Sequence, residues 1–289
     1  MTLILIAAMR YRPGVVSPAC TRAVILARGL GTRMRQAAAG SADLDPRQAR
    51  VADSGLKAMI PVGRPFLDYL LAAVADAGCR EVCLVIGPEH DAVREYYTRG
   101  VRLSRLAVAF AVQERPEGTA DAVLAAEACV GDAPFLVLNS DNYYPVEALA
   151  RLRALAGPGL AGFEREALVR EGNIDAERVG KYAVLDVDDE GYLRGIVEKP
   201  DAAAWAAIGR EAPISMNCWR FGPAIFAAAR AIDRSSRGEY ELADAVQHAI
   251  DSLGERFEVV PVRAGVLDLS MRSDIPSVAR RLQGIEVRL

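Results

Sequence analysis

The chain has 289 residues, of which 52% are hydrophobic and 25% charged, with a formal net charge of -3. That length and balance suit one large or two intimate globular domains with a sizeable core, and the weakly acidic total with dispersed arginines argues against a nucleic-acid partner. Five cysteines, odd in number and without a Cys-x-x-Cys pair, fit reduced thiols in a cytoplasmic protein, and His90 and His248 as the sole histidines argue against a histidine-based zinc site.

The first apolar run, residues 3–9, precedes its charges at Arg10 and Arg12 rather than following them, which is the wrong order for a secretory signal. Residues 1–20 therefore read as an extra strand or a loosely held arm, and the core fold as beginning at Thr21. No run approaches the roughly 18 apolar residues of a membrane span. Residues 23–35 read as a short apolar strand entering a loop with Gly29, Gly31, Arg33 and Arg35. Glycines let successive amides turn inward around an anion, so a strand feeding such a loop points to a phosphorylated ligand. A dinucleotide fingerprint would need a third glycine where Met34 stands, and a P-loop would need Gly-Lys-Ser/Thr. The pattern Gly-x-Gly-Thr-Arg is complete in Gly29, Gly31, Thr32 and Arg33.

Residues 36–55 lack strong periodicity and read either as a mobile lid over a phosphate site or as a plain insertion. Phe66, Leu67, Leu70, Leu71 and Val74 then fall at helical spacing, and Gly78 ends that helix. The spacing predicts strands over 81–86, 106–112 and 135–139, a polar helix over 89–98 and an alanine-rich helix over 119–130. Continuous apolar strands alternating with helices imply a parallel sheet covered on both faces. By the crossover rule, Asp141, just past one strand, should lie near the 28–35 loop. Past residue 160 the rhythm changes to strands over 181–187, 191–197 and 214–221, with a hairpin turn at 188–191. Helices follow over 223–232, 241–252 and 273–283. Strands over 257–262 and 265–269 between the last two return Asp268 toward the sheet. No linker separates two units, so 21–289 reads as one domain with a nucleotide half (about 21–155) and a second half (about 156–289).

In this order, residues 23–35, 56–65, 113–123, 139–142, 180–200, Asn217, 239–243 and Asp268 resemble the motifs of the sugar-1-phosphate nucleotidylyltransferase family. That family makes NDP-sugars and pyrophosphate from a nucleoside triphosphate and a sugar 1-phosphate. The resemblance implies an α/β fold with a doubly wound, mostly parallel Rossmann-like (GT-A-type) sheet, helices on both faces and a small β-rich sugar-binding portion. It also implies Mg²⁺, held by Asp141 and Asp268 between the reacting phosphates. Arg33 would hold the departing phosphates and Lys57 the α-phosphate. Ala27, Gly29, Gly31, Thr32, Gln113, Gly118 and Thr119 would line the nucleotide site, and Glu198, Lys199 and Asn217 the sugar-phosphate site. Gln113, with one donor and one acceptor, suits the N3–H and a neighbouring carbonyl of thymine or uracil, favouring dTTP or UTP. The resemblance leaves room for a homo-oligomer.

Departures cluster at base and sugar recognition. Arg28 replaces a small residue beside the base and must swing out to solvent or touch the nucleotide, Ala183 stands for a glycine, Cys218-Trp219 follow Asn217, and Leu269-Ser270-Met271 follow Asp268 in place of Gly-Thr. A catalytically inactive regulatory or assembly subunit is the alternative, and it would be marked by loss of the phosphate-handling residues. A glycosyltransferase would favour Asp-x-Asp where Asp141-Asn142-Tyr143 stands.

Overall fold

The structure is a computed structural model that describes residues 20–36, 44–209 and 211–289. The expected N-terminal arm lies outside the described residues except for Cys20. Eleven strands appear among those described: β1 (Arg22–Leu26), β2 (Glu81–Ile86), β3 (Ala107–Val112), β4 (Phe135–Asn139), β5 (Asn142–Tyr143), β6 (Gly159–Phe163), β7 (Val184–Val187), β8 (Leu193–Val197), β9 (Ile214–Phe221), β10 (Glu258–Val262) and β11 (Leu267–Asp268).

The sheet runs β10-β6-β9-β4-β1-β2-β3, with the β7–β8 hairpin attached to β9 through Val184 and Ile214. β1 to β4 are mutually parallel, β9 is antiparallel to both β4 and β6, and β10 is parallel to β6. The strands are continuous apolar runs because both faces are covered. Ala23, Ile25, Leu84, Leu136 and Leu138 enter one core with the helix Phe66–Asp76, whereas Val24, Val85, Phe135 and Val137 enter a second core with helices Thr119–Ala125, Ala224–Ala231 and Leu242–Leu253. This alternation is the period-two geometry of a strand. Each fully buried large side chain contributes about 1.5–3 kcal/mol. A third core gathers Met34, Ala52, Phe66, Leu269, Ile275 and Val278 beneath the glycine loop.

Register places the functional edge. Leu26 pairs with both Val85 and Asn139. The ladder continues past the strands, with Ala27 N donating to Val85 O, Gln113 N to Ile86 O and Ser140 N to Leu26 O. The chain therefore leaves β1, β3 and β4 along one row, and residues 27–28, 113 and 140–141 stand side by side. β5 and β11 form a separate antiparallel pair in which Asp268 faces Asn142.

Several elements differ from expectation. The helix over 119–130 breaks into Thr119–Ala125 and Glu127–Val130, and the polar helix is Asp91–Glu95 followed by a π turn, Tyr96–Gly100. β6 went unpredicted, because Gly159 and Gly162 look like loop residues. A Cβ on Gly162 would meet Val259 and Pro213 within 3 Å, so the glycines serve close packing instead. The second part of 36–55, which lacked strong periodicity, forms the helix Pro46–Ser54, started by a capping box between Asp45 and Gln48. Its Ala52 is buried in the third core, and Arg272 ties it down by pairing with Asp53 while donating to Met34 O at 2.8 Å. Residues 37–43 lie outside the described residues.

Candidate active site

The glycine loop is built by one close crossing. Gly31 has φ 61°, and a Cβ there would lie 2.1 Å from Gly55 O, so only glycine fits between the loop and the end of the Pro46–Ser54 helix. The backbone amides of residues 28–33 donate to no described residue, which leaves them for an anion. Arg33 lines the cleft beneath them. Arg35 does not share that role, because its guanidinium donates to Ser54 O at 2.8 and 3.2 Å.

Lys57, on the one-turn helix Lys57–Met59, reaches across to Asp141 beyond β4, with Nζ 2.8 Å from Oδ2. Both side chains are mostly buried, and Asp141 Oδ1 accepts no bond from a described residue.

The base side is ordered by side-chain bonds within the protein. Of the two expectations for Arg28 the solvent one fails, since its side chain is buried at the cleft wall, with Nε donating to Gln113 O at 2.5 Å and Nη2 to Glu114 O at 3.2 Å. Its Nη1 is buried without a partner. The Gln113 amide nitrogen donates to Gly118 O at 3.0 Å and Asp121 Oδ2 at 2.7 Å, so the expected donor toward the base is already engaged. Gly118, at φ 115°, passes so close to Tyr240 that a Cβ would meet its carbonyl at 2.4 Å. Thr119 Oγ1 accepts from Leu242 N at 2.9 Å, which closes this wall.

Whether a divalent cation fits can be read from the two carboxylates. Asp141 has a free oxygen facing the cleft. Asp268 is buried and takes four donors: Arg178 at 2.5 Å and Ser270 N at 2.9 Å on Oδ1, Tyr182 Oη at 3.0 Å and Asn142 Nδ2 at 3.4 Å on Oδ2. Burial, and next the charge of Asp141, push the Asp268 carboxyl above the ordinary range, although Arg178 opposes the shift. A buried carboxyl raised in part by a neighbouring carboxylate is a place for a cation, and the long Asn142 contact is the bond most easily exchanged. Among the described residues no cluster of three or more His, Cys, Asp or Glu forms a cage. The donor set thus fits Mg²⁺, which is commonly held by one or two carboxylates together with substrate phosphates.

Ala27, Gly29, Gly31, Thr32, Arg33, Lys57, Gln113, Gly118, Thr119 and Asp141 line one cleft of about 360 Å³, as do Arg28 and Glu239. Glu198, Lys199, Asn217 and Asp268 do not line it. Asn217 is one step past the Leu138–Cys218 pair, beside Asn139 of the cleft wall. Lys199 (φ 45°) and Asn217 (φ 53°) are the non-glycine residues with left-handed backbone among those described. Such conformations cost about 1–3 kcal/mol and gather at functional sites. Burial raises the Glu198 carboxyl, with Arg237 opposing and Glu241 adding to the shift. Sequence reasoning missed Asp121, Arg178 and Tyr182. An acid in a helix's first turn reads as a dipole partner, and Arg178 sits 90 residues from Asp268 outside any matched stretch; Asp121 and Tyr182, each inside a matched stretch, carried that much of a signal.

The sequence pattern of the nucleotidyl transferase family matches residues 22–268. The glucose-1-phosphate thymidylyltransferase of Streptomyces antibioticus is 30% identical over 280 residues, covering 93% of this chain and 68% of its own. The UTP–glucose-1-phosphate uridylyltransferase AglF of Haloferax volcanii is 27% identical over 272 residues, covering 91% and 96%. Among solved structures, the UTP-bound UGPase from Acinetobacter baumannii superposes with a TM-score of 0.71 at 19% identity, over 93% of this chain and 95% of that one. A UDP-glucose pyrophosphorylase complexed with UDP-glucose gives 0.69 at 18%, over 90% and 97%. At those identities the structural likeness establishes the fold.

Proposed function

Because this chain belongs to the nucleotidyl transferase family, we propose that it joins a nucleoside triphosphate to a sugar 1-phosphate, giving an NDP-sugar and pyrophosphate. The observation that carries the reading is the meeting of the glycine loop, Arg33, Lys57 and Asp141 in one cleft, where a 2.8 Å ion pair spans residues 84 apart in the chain. None of the phosphate-handling residues is lost, so nothing favours the inactive regulatory reading. The whole of 21–289 is read as one domain, with the triphosphate on the β1–β4 half and the sugar phosphate on the half from 156 onward.

A phosphate oxygen of the sugar 1-phosphate attacks the α-phosphorus in line. The new P–O bond forms as the bond to the bridging β-phosphate oxygen breaks, and pyrophosphate leaves with that electron pair. Repulsion among the phosphate oxygens is the obstacle, so the protein supplies positive charge and alignment. The loop amides and Arg33 hold the β- and γ-phosphates, and Lys57 turns from Asp141 to the α-phosphate. Lys199 orients the incoming phosphate, Glu198 accepts from a sugar hydroxyl, and Asn217 lines the sugar. Asp141 and Asp268 would hold Mg²⁺, which neutralises the reacting phosphates when bound. We read the base as uracil or thymine and the sugar as a hexose 1-phosphate, following the relatives' named substrates.

The test is a matrix of the five nucleoside triphosphates against a set of sugar 1-phosphates with pyrophosphate detection. Pyrophosphate that requires both partners is expected with UTP or dTTP. Silence across the whole matrix would overturn the reading.

A further inference from the structure

Gln113 is held from two directions, and the holding decides which of its atoms the ligand meets. Its amide nitrogen lies 3.0 Å from Gly118 O and 2.7 Å from Asp121 Oδ2. Both neighbours are acceptors with no hydrogen to give. The reversed amide would press an oxygen against a carboxylate and leave both acceptors unpaired, so the orientation is fixed by its surroundings. Both amide hydrogens are thereby engaged. The other atom, Oε1, accepts no bond from a described residue and is not sealed off, although the side chain as a whole is buried and lines the cleft. The main chain is fixed as well, because Arg28 bridges the consecutive carbonyls of Gln113 and Glu114.

We propose that Asp121 and Arg28 are positioning residues that make Gln113 an acceptor-only reader of the base, selecting bases whose ring nitrogen at the centre of the Watson–Crick edge carries a hydrogen. Uracil and thymine (N3–H) and guanine (N1–H) meet that demand. Cytosine N3 and adenine N1 set a lone pair against the lone pairs of Oε1. A polar atom forced against its own kind loses its hydrogen bond and stays desolvated, which is the physical basis of strong base rejection. The inference rests on the proposed nucleotide site. It explains why Arg28 is accepted although its Nη1 is buried without a partner: the guanidinium fastens the segment that carries Gln113 to the end of β1.

The experiment measures dissociation constants of UTP, dTTP, GTP, CTP and ATP with Mg²⁺ by calorimetry, for the full chain and for Asp121→Ala, Asp121→Asn and Arg28→Lys. The unaltered protein is expected to bind UTP at least about tenfold tighter than CTP. Asp121→Ala frees the amide to turn and should bring that ratio to within roughly threefold. Asp121→Asn, whose side-chain oxygen still accepts from Gln113, should keep most of it, while Arg28→Lys cannot bridge two carbonyls and should lower it. UTP and CTP share ribose and phosphates, so general loosening of the fold weakens both alike and leaves the ratio unmoved. Equal binding of UTP and CTP by the unaltered protein, or an unchanged ratio in Asp121→Ala, would overturn the proposal. Binding is read without sugar phosphate, so a selective protein that releases no pyrophosphate defeats the proposed reaction alone. One that turns over UTP and CTP alike defeats this inference alone.

Discussion

Replacing Asp141 by Asn separates the chemical role of the Lys57–Asp141 pair from its structural one. At 2.8 Å and an effective dielectric of about 20, the gross attraction is about 6 kcal/mol. Desolvation of two mostly buried groups cancels most of it, and a charge-assisted bond of this kind nets about 1.5–3 kcal/mol. The amide keeps the shape and still accepts from Lys57, so the loss of stability should be about 1 kcal/mol. For a chain of this size that corresponds to a fall in Tm of about 2–4 °C. Turnover should suffer far more. The charge that faces the reacting phosphates is gone, and a loss of about 4 kcal/mol in transition-state stabilisation is about a thousandfold in rate. Calorimetric melting and pyrophosphate release, measured on the same preparation at ordinary Mg²⁺, give the two numbers. Activity within tenfold of the unaltered protein would refute the reasoning. So would a Tm fall beyond about 10 °C, since the pair would then be a structural strut.

The two phosphate cations should divide by substrate: Arg33→Ala should chiefly raise KM for the triphosphate and Lys199→Ala that for the sugar 1-phosphate, and steady-state kinetics showing the same defect in both would contradict the division. Glu198, lifted mainly by burial, accepts from a sugar hydroxyl more strongly as a carboxylate than as the neutral acid. As pH falls through its raised pKa, KM for sugar phosphate should therefore climb at a pH above the ordinary glutamate value of about 4.3, and this dependence should be missing from Glu198→Gln. The stability sign runs the opposite way, because a carboxyl raised by folding favours the native state only while protonated. Glu198→Gln should then melt higher than the unaltered protein at neutral pH but not in acid. Arg178→Ala would leave buried Asp268 and Asp274 without their shared counter-ion, and denaturant unfolding should show a loss of about 3–5 kcal/mol.

The parallel core was legible because its strands are buried on both faces and therefore read as unbroken apolar runs; β2 has the bounds its sequence implies. Register then carried the inference that Asp141 meets the glycine loop, since parallel strands joined by crossovers release their chain at one edge. The Pro46–Ser54 helix was hidden by exposure: it buries only Ala52, so it has little apolar periodicity, although Asp45-Pro46 with Gln48 three residues past the cap was a readable start signal. The backbone anchoring of Arg28 was hidden for another reason. A long cation in a ligand loop suggests solvent or ligand, and the carbonyls that receive it belong to a segment 85 residues away. Asp121 drew no reading because its partner, Gln113, is a side chain across a loop, which local spacing does not reveal.

The antiparallel strand β9 has a consequence for how the chain matures on the ribosome. It lies between β4 and β6, so the outer edge of β4 stays open until the chain has been made as far as Phe221. Phe135 to Leu138 are the most apolar stretch of that edge, and an open apolar edge invites pairing with other chains. The half that holds the glycine loop therefore depends on the later half to finish its own sheet. A nascent chain stopped near residue 155 would emerge with a sticky border rather than as a self-sufficient nucleotide-binding unit, and chaperone demand should peak between the synthesis of β4 and that of β9.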